Sequence, residues 1–134
     1  MRDGRQLLII DDDRAIVEAL TVRLEAAGYK VAVAFDGQQG LELAEANRPD
    51  GIVLDVRMPG IDGLVTLSHL RESKKTRDAA VVVLSASTVD SRRALAMGAD
   101  YFLGKPYTSS ALLSAMETAI AERHPKGALD HAQA

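Results

Sequence analysis

The sequence contains no cysteine among its 134 residues. Disulfide frameworks, thiolate zinc sites and cysteine nucleophiles are therefore excluded. Long hydrophobic runs are also missing, since the longest spans residues 79–84 and falls far short of the roughly 18 residues that a membrane-spanning helix needs. The charged N-terminal residues lead straight into a short apolar run, which is not the form of a signal peptide. These absences predict a cytoplasmic protein that does not associate with a membrane.

A strong basic charge is absent as well. The chain has 16 Lys and Arg against 19 Asp and Glu, which makes a formal net charge of −3. This mild acidity gives no support to nucleic-acid binding, for which a strongly basic domain is expected. With 47% hydrophobic and 26% charged residues, the composition is that of a globular domain. The length suits one domain, which we place at residues 1–124, followed by a short, flexible tail at residues 125–134.

Short apolar runs recur along the chain and alternate with segments of helical periodicity. The runs lack regular polar alternation, which is typical of strands buried on both faces. Five strand–helix repeats indicate an α/β domain with a parallel sheet. Asp13 and Asp36 are expected to cap the helices that follow them, and Asp90 is a candidate to open the fourth helix. The predicted strands are residues 7–10, 31–35, 52–54, 80–84 and 101–103.

Polar side chains follow four of the five predicted strands. Three aspartates come after the first strand, one aspartate after the third, a serine after the fourth and a lysine after the fifth. In open α/β sheets, ligands bind beyond the carboxyl ends of the strands, where the strand order reverses. A single aspartate after a strand is more often a helix cap than a ligand, so the argument depends on the joint placement. The residues are Asp11, Asp12, Asp13, Asp55, Ser85 and Lys105.

The clustered carboxylates predict a Mg²⁺ site. Asp11, Asp12 and Asp55 would repel one another without a counter-ion. Mg²⁺ takes one or two carboxylates, keeps several waters and leaves a position for a phosphate oxygen. The Lys105 ammonium and the Ser85 hydroxyl suit other oxygens of a phosphoryl group. An aspartate in the centre can then accept the phosphoryl group as a nucleophile, so we interpret the site as one of phosphoryl transfer to aspartate.

Four segments of the chain carry a resemblance to a known family. The first strand ends in LLIIDDD, residues 55–63 are DVRMPGIDG, Ser85 precedes Ala86, and residues 98–107 are GADYFLGKPY. In this order they match the acidic motif, the phosphoacceptor segment, the hydroxyl and small-residue pair and the lysine–proline ending of receiver domains of two-component response regulators. The chain resembles this family, and its chemotaxis-type members, over roughly residues 6–124. The resemblance implies a doubly wound, five-stranded parallel sheet of flavodoxin-like order 2-1-3-4-5, with helices on both faces.

The resemblance implies a role for each matching residue. Asp55 is the phosphoacceptor, and Lys105, before a cis Lys105–Pro106 bond, pairs with the phosphoryl group. Ser85 moves toward the phosphate after phosphorylation. Phe102 is the aromatic side chain that follows this movement, although an ordinary core role for Phe102 is an open alternative. The implied Mg²⁺ ligands are Asp11, Asp12, Asp55 and the backbone carbonyl of Arg57.

The resemblance also implies partners. A sensor histidine kinase or a histidine phosphotransfer protein supplies the phosphoryl group, and the chain is otherwise not an enzyme. An unknown downstream protein is expected to bind the face of the fourth helix, fifth strand and fifth helix, to which Arg92 and Arg93 belong, with a homodimer as a further alternative. The chain ends soon after the fifth helix, so we expect a stand-alone regulator or a piece of a larger protein such as a hybrid kinase.

The sequence departs from the family pattern in two ways. The segment of residues 85–98 is about two residues shorter than in chemotaxis-type receivers, and either Tyr101 or Phe102 could respond to Ser85.

Two other functions also stay open. A haloacid-dehalogenase-like phosphatase also uses a Mg²⁺-bound aspartate nucleophile, and residues 11–13 contain its D-x-D pattern. That reading leaves Asp55 unexplained. The second alternative is a receiver that serves only as a binding module, without phosphorylation.

Overall fold

The computed structural model describes residues 4–58 and 60–123, in which strands and helices alternate five times as the sequence predicts. The predicted tail at residues 125–134 lies outside this range. Among the described helices, none is both long and apolar enough to cross a membrane. The strands are β1 (Gln6–Ile10), β2 (Lys30–Ala34), β3 (Gly51–Asp55), β4 (Ala80–Ser85) and β5 (Tyr101–Gly104). The helices are α1 (Arg14–Ala26), α2 (Gly37–Asn47), α3 (Gly63–Glu72), α4 (Val89–Ala96) and α5 (Ser109–Arg123).

The five strands form one parallel sheet in the order β2-β1-β3-β4-β5, which confirms the predicted order. From β1 the chain first adds β2 on one side and then crosses to add β3 on the other. The strand order therefore reverses between β1 and β3. A crevice opens at such a point, beyond the carboxyl ends of the two strands.

The sheet lies between two apolar cores, one on each face. Val81 and Val83 of β4 belong to the core that α2, α3 and α4 complete. Val82 and Leu84 belong to the other core, which α1 and α5 complete. Successive side chains of a strand point to opposite faces, so a strand covered on both faces is apolar throughout. This burial explains the continuous apolar runs in the sequence and leaves the strand ends as the place for polar groups.

Two of the predicted helix caps are present and the third is not. The Asp13 carboxylate accepts hydrogen bonds from the backbone N–H groups that open α1, and Asp36 does the same for α2. The prediction that Asp90 opens α4 is wrong, because the helix begins at Val89 after Thr88. The Asp90 side chain is buried and binds Ser85 instead of the free N–H groups of the helix.

An ionic cluster joins the amino ends of β4 and β5, at the edge opposite the crevice. The Asp100 carboxylate accepts hydrogen bonds from the backbone N–H of Val81 at 2.8 Å and from Arg71 Nη2 at 3.2 Å. Arg123 Nε lies 2.8 Å from the same carboxylate. Arg71 also donates to the backbone carbonyls of Gly98 and Ala79. These bonds hold α3, α5 and the two strands together, away from the candidate site.

Candidate functional site

Three carboxylates meet at the carboxyl edge of the sheet. Asp11 and Asp12 follow β1, and Asp55 ends β3. The ladder pairs Ile10 with Leu54, which brings Asp11 beside Asp55. One carboxylate oxygen from each aspartate lies within 4.8 Å of the other two. Asp11 and Asp55 are buried and Asp12 is exposed, so the cluster is open to solvent on one side.

The two oxygens of Asp11 have different surroundings. Oδ1 accepts a hydrogen bond from the backbone N–H of Asp13 at 3.0 Å, whereas Oδ2 is buried with no partner among the described residues. A buried carboxylate oxygen ordinarily has a donor or a cation beside it. Burial raises the pKa of Asp11 to about 6, the backbone hydrogen bond opposes this shift, and the charge of Asp55 adds to it. This set of hard oxygen donors fits a Mg²⁺ ion.

Lys105 reaches Asp55 from the far side of the crevice. Its Nζ lies 2.5 Å from Asp55 Oδ1. The backbone N–H of Lys105 donates to the carbonyl of Ser85 at 2.9 Å, which extends the β4–β5 ladder to the base of the lysine side chain. The Lys105–Pro106 peptide bond is cis, as predicted. The structure therefore places the predicted lysine directly on the predicted phosphoacceptor.

The pKa values of this pair shift for opposing reasons. Burial raises the pKa of Asp55, although its hydrogen bond and charge interaction with Lys105 oppose the shift. Burial acts to lower the pKa of Lys105, but the hydrogen bond and charge of Asp55, with the charge of Asp11, outweigh it and raise the pKa overall. Each group thus favours the charged state of the other inside a site that disfavours isolated charge.

The loop after β3 folds back onto Asp55. The backbone N–H of Gly63 donates to the carbonyl of Val56 at 2.8 Å. A Cβ atom on Gly63 would overlap the backbone carbonyl oxygen of Asp55, so only glycine permits this approach. Asp62 caps α3 immediately before it. The Asp62–Gly63 pair of the motif therefore shapes the loop, whereas Pro59 lies outside the described residues.

The Ser85 hydroxyl is bound by Asp90, a residue that the sequence did not assign to the site. Ser85 Oγ donates to Asp90 Oδ2 at 2.8 Å and accepts from the backbone N–H of Ser87 at 3.1 Å. Arg57 Nη2 lies 3.1 Å from the same Asp90 oxygen. The backbone carbonyl of Arg57 is the predicted metal ligand, and the backbone of this residue also acts to lower the pKa of Asp55. The sequence feature that indicates a contact between Asp90 and Ser85 is the short connection at residues 86–88, which keeps the start of α4 close to Ser85.

Strand alternation separates the two adjacent aromatic residues of β5. Phe102 pairs with Val83 and packs, half-buried, against the core of α2, α3 and α4. Because Val83 and Ser85 are two residues apart, their side chains share this face. Tyr101 packs on the other face, where its hydroxyl donates to Glu122 of α5 at 3.1 Å. Phe102 is therefore the aromatic residue on the side of Ser85.

The outer surface of α4 mixes charged and apolar side chains. Arg92 and Arg93 lie in this helix and are exposed. Val89 is 75% exposed and Leu95 is 48% exposed. Apolar groups interspersed with arginines are typical of a transient protein–protein contact.

The chain is similar to known proteins along most of its length. The sequence profile of the response regulator receiver domain matches residues 7–117. Response regulator MprA of Mycobacterium bovis (strain BCG / Pasteur 1173P2) is 37% identical over 127 residues, which cover 93% of this chain and 54% of MprA. The chain thus spans about half the length of the curated relatives it matches.

Solved structures agree with this similarity. The CheY-like receiver domain protein from Methanospirillum hungatei JF-1 superposes with a TM-score of 0.85 at 25% identity, covering 92% of this chain and 99% of that one. The receiver domain of sensor histidine kinase PA1611 from Pseudomonas aeruginosa PAO1 has a TM-score of 0.77 at 27% identity, covering 88% and 98%. Its magnesium ion is coordinated in the active site cleft. The chain belongs to the response regulator receiver domain family of two-component signalling.

Proposed function

We propose that this chain is the phosphoacceptor of a two-component or phosphorelay system, with residues 1–124 as the receiver domain and Asp55 as the phosphorylated residue. The observation that carries the proposal is the position of Asp55. It is buried at the end of β3, beside the acidic pair Asp11 and Asp12 on one side and bound to Lys105 on the other. The nucleophilic oxygen of Asp55, the cation-binding acidic pair and the phosphoryl-binding ammonium of Lys105 therefore lie within one crevice.

The phosphoryl donor in this proposal is a phosphohistidine of a sensor histidine kinase or a histidine phosphotransfer protein. A carboxylate oxygen of Asp55 forms a bond to phosphorus while the phosphorus–nitrogen bond breaks, and the leaving imidazole keeps the electron pair and takes up a proton. Lys105 stabilises the negative charge on the phosphoryl oxygens. Positioning and charge neutralisation supply most of the rate enhancement in such transfers. The chain catalyses its own phosphorylation and dephosphorylation and acts on no separate substrate.

Asp11, Asp12, Asp55 and the backbone carbonyl of Arg57 would hold the Mg²⁺ ion. Oδ2 of Asp11 has no partner among the described residues, and this, with the raised pKa of Asp11, supports a cation at this place. The magnesium ion in the active site cleft of the PA1611 receiver supports it by similarity. When bound, the ion neutralises charge on the carboxylates and on the transferred phosphoryl group.

The signal leaves the site through Ser85 and Phe102 in this proposal. Ser85 moves toward the phosphoryl group, and Phe102 follows on the same face of the sheet. The result is a changed surface of α4, β5 and α5, where a downstream protein binds, or a second copy of this chain as the alternative. The exposed Arg92 and Arg93 support this surface as the contact. The partners are proteins of the cytoplasm, not nucleic acid or a membrane.

Incubation with acetyl phosphate and Mg²⁺ tests the proposal. We expect one stable aspartyl phosphate on the wild-type chain, and Asp55→Asn abolishes it while the fold is retained. The control Asp78→Asn removes an exposed carboxylate and leaves labelling unchanged. Label on Asp11, Asp12 or Asp13 would contradict the assignment. Rapid turnover of many phosphate esters would indicate the haloacid-dehalogenase-like phosphatase, and a folded wild type without label would indicate a binding module.

A further inference from the structure

We propose that Asp90 is a positioning residue that holds the Ser85 hydroxyl in the unphosphorylated protein and competes with the phosphoryl group for it. This inference rests on the proposed phosphorylation of Asp55. A serine hydroxyl has one proton and can donate one hydrogen bond at a time. That bond goes to Asp90 Oδ2 at 2.8 Å. Ser85 must therefore release Asp90 before it can donate to a phosphoryl oxygen.

The surroundings of Asp90 make it a strong competitor. The residue is only 3% exposed, so little water replaces Ser85 as a donor. A hydrogen bond to a carboxylate is stronger than one between neutral groups, and exclusion of water strengthens it further. The backbone N–H of Ser87 also donates to Ser85 Oγ at 3.1 Å. Both functions of the hydroxyl, as donor and as acceptor, are engaged on the side of α4.

The short connection between β4 and α4 explains why Asp90 reaches Ser85. Three residues, 86–88, separate the end of β4 from Val89, where the helix begins. Asp90 is thus the second helical residue and lies directly above the strand end. Asp90 is also the acidic residue of the first turn, where negative charge is favourable.

Arg57 lowers the cost of releasing Ser85. Its side chain is 67% exposed, and its Nη2 lies 3.1 Å from Asp90 Oδ2. When Ser85 leaves, the buried Asp90 carboxylate keeps a charged partner, whereas an unpaired buried carboxylate would be strongly unfavourable. Arg57 follows Asp55 by two residues, so the exchange links the loop of the phosphoacceptor to the first turn of α4. Release of Ser85 removes a bond that ties α4 to β4, and this is how the site would reach the α4 surface.

The proposal predicts that loss of the Asp90 carboxylate favours the activated arrangement. A ligand shifts an equilibrium only by the difference in its affinity for the two states. We therefore expect Asp90→Asn to tighten the binding of beryllofluoride, a mimic of the phosphoryl group, in saturating Mg²⁺. An increase of about tenfold corresponds to the replacement of a charge-assisted hydrogen bond by the weaker one that a neutral amide oxygen accepts. In a Ser85→Ala background the same substitution is expected to have no effect, because no hydroxyl remains to be released.

The test is a double-mutant cycle of wild type, Asp90→Asn, Ser85→Ala and the double variant. Each protein is titrated with beryllofluoride, and binding is followed by NMR. Asp100→Asn is the matched control, because it also removes a carboxylate with arginine partners, but at the opposite edge of the sheet. It should leave the affinity unchanged. Unchanged or weaker binding by Asp90→Asn would overturn the proposal. An increase that persists without the Ser85 hydroxyl would overturn it too, since freed Arg57 would then be the cause.

A measurement on the wild type keeps the test independent of how the variants fold. The ¹³C shift of the Asp90 carboxyl group should change on saturation with beryllofluoride, whereas that of Asp100 should not. A wild type that binds the mimic with no change at Asp90 would refute the role of Asp90 alone. A wild type that neither binds beryllofluoride nor accepts label from acetyl phosphate would refute the proposed function as well.

Discussion

The Asp11 carboxylate links the stability of the fold to pH, because it is buried and one of its oxygens has no partner among the described residues. Its pKa is raised from 3.8 to about 6, mainly by burial. The Asp11 carboxyl group therefore binds a proton more tightly in the folded chain than in the unfolded chain. The free energy of unfolding therefore decreases as pH rises from about 4 to about 6, because the buried Asp11 carboxyl group becomes charged. This loss of stability persists at higher pH.

Asp11→Asn tests this link between charge and stability. Without metal at pH 7.5, we expect the variant to be more stable than wild type by about 2 kcal/mol, because the buried charge is removed and the amide oxygen can still accept from Asp13. Mg²⁺ should raise the melting temperature of wild type at pH 7.5, but little at pH 5, and should not raise that of Asp11→Asn.

The adjacent Asp13 provides the control for this experiment. Asp13→Ala removes the cap of α1 and should cost about 1 kcal/mol, with the response to Mg²⁺ retained. Thermal unfolding with EDTA or with Mg²⁺, at both pH values, measures each effect. An equal response to Mg²⁺ in Asp11→Asn and wild type would refute the placement of the ion.

Lys105 acts on the phosphoryl group and not on the cation in our proposal. Lys105→Ala should therefore bind Mg²⁺ nearly as wild type does, while the rate of labelling by acetyl phosphate falls roughly a hundredfold, as for loss of one charge-stabilising group. Lys105→Arg should restore little activity, because a planar guanidinium differs from an ammonium in reach and geometry. Full labelling of Lys105→Ala would exclude the role.

At the scale of elements, the β3–α3 loop depends on a glycine that lies against the backbone of Asp55, the proposed phosphoacceptor. Gly63→Ala would place a Cβ atom against the backbone of Asp55 and 2.7 Å from Cα of Val56. The backbone must shift, so we expect a loss of about 1–3 kcal/mol in the free energy of unfolding together with slower phosphorylation. Gly104→Ala is the control, since a Cβ there meets nothing within 4 Å. Urea unfolding and acetyl phosphate labelling measure the two effects, and equal behaviour of the two variants would contradict this prediction.

Several elements were predictable from local sequence, and their ends were less so. The structure shifts β2 by one residue and extends the other four predicted strands by one residue, β3 at both ends, and α2 begins directly after its predicted cap Asp36. The error at α4 has a physical cause. An aspartate near a helix start is usually a cap, but here the three-residue connection brings Asp90 over the end of β4, where the Ser85 hydroxyl is the nearer partner.

At the scale of the whole molecule, phosphorylation changes a surface that lies away from Asp55 in our proposal. Beryllofluoride with Mg²⁺ should shift NMR signals from the site through α4 and β5 within residues 86–110, with the exception of Asp100 at the opposite edge of the sheet. The ionic cluster of Arg71, Asp100 and Arg123 at the opposite edge should change little, because its bonds do not involve the site. Changes confined to residues that touch the ion and the mimic would show that this receiver does not transmit the signal by the proposed route.

The sequence alone predicted the alternation of strands and helices and the caps at Asp13 and Asp36. It also predicted that aspartates, a serine and a lysine lie at strand ends. Each depends on residues a few positions apart, where hydrophobic period and capping chemistry act. The meeting of Asp55 with Lys105, 50 residues later, was expected through a family resemblance and is observed in the structure.

The tertiary structure alone decided which groups share a hydrogen bond inside the site. Local pattern does not encode that Asp90 binds both Ser85 and Arg57, or that Phe102 and not Tyr101 lies on the side of Ser85. These facts depend on the pairing of distant strands and on how closely α4 packs on the sheet. Pairing and packing are set by the burial of two apolar cores at once, to which residues from all ten elements contribute, so no single stretch of the chain specifies them.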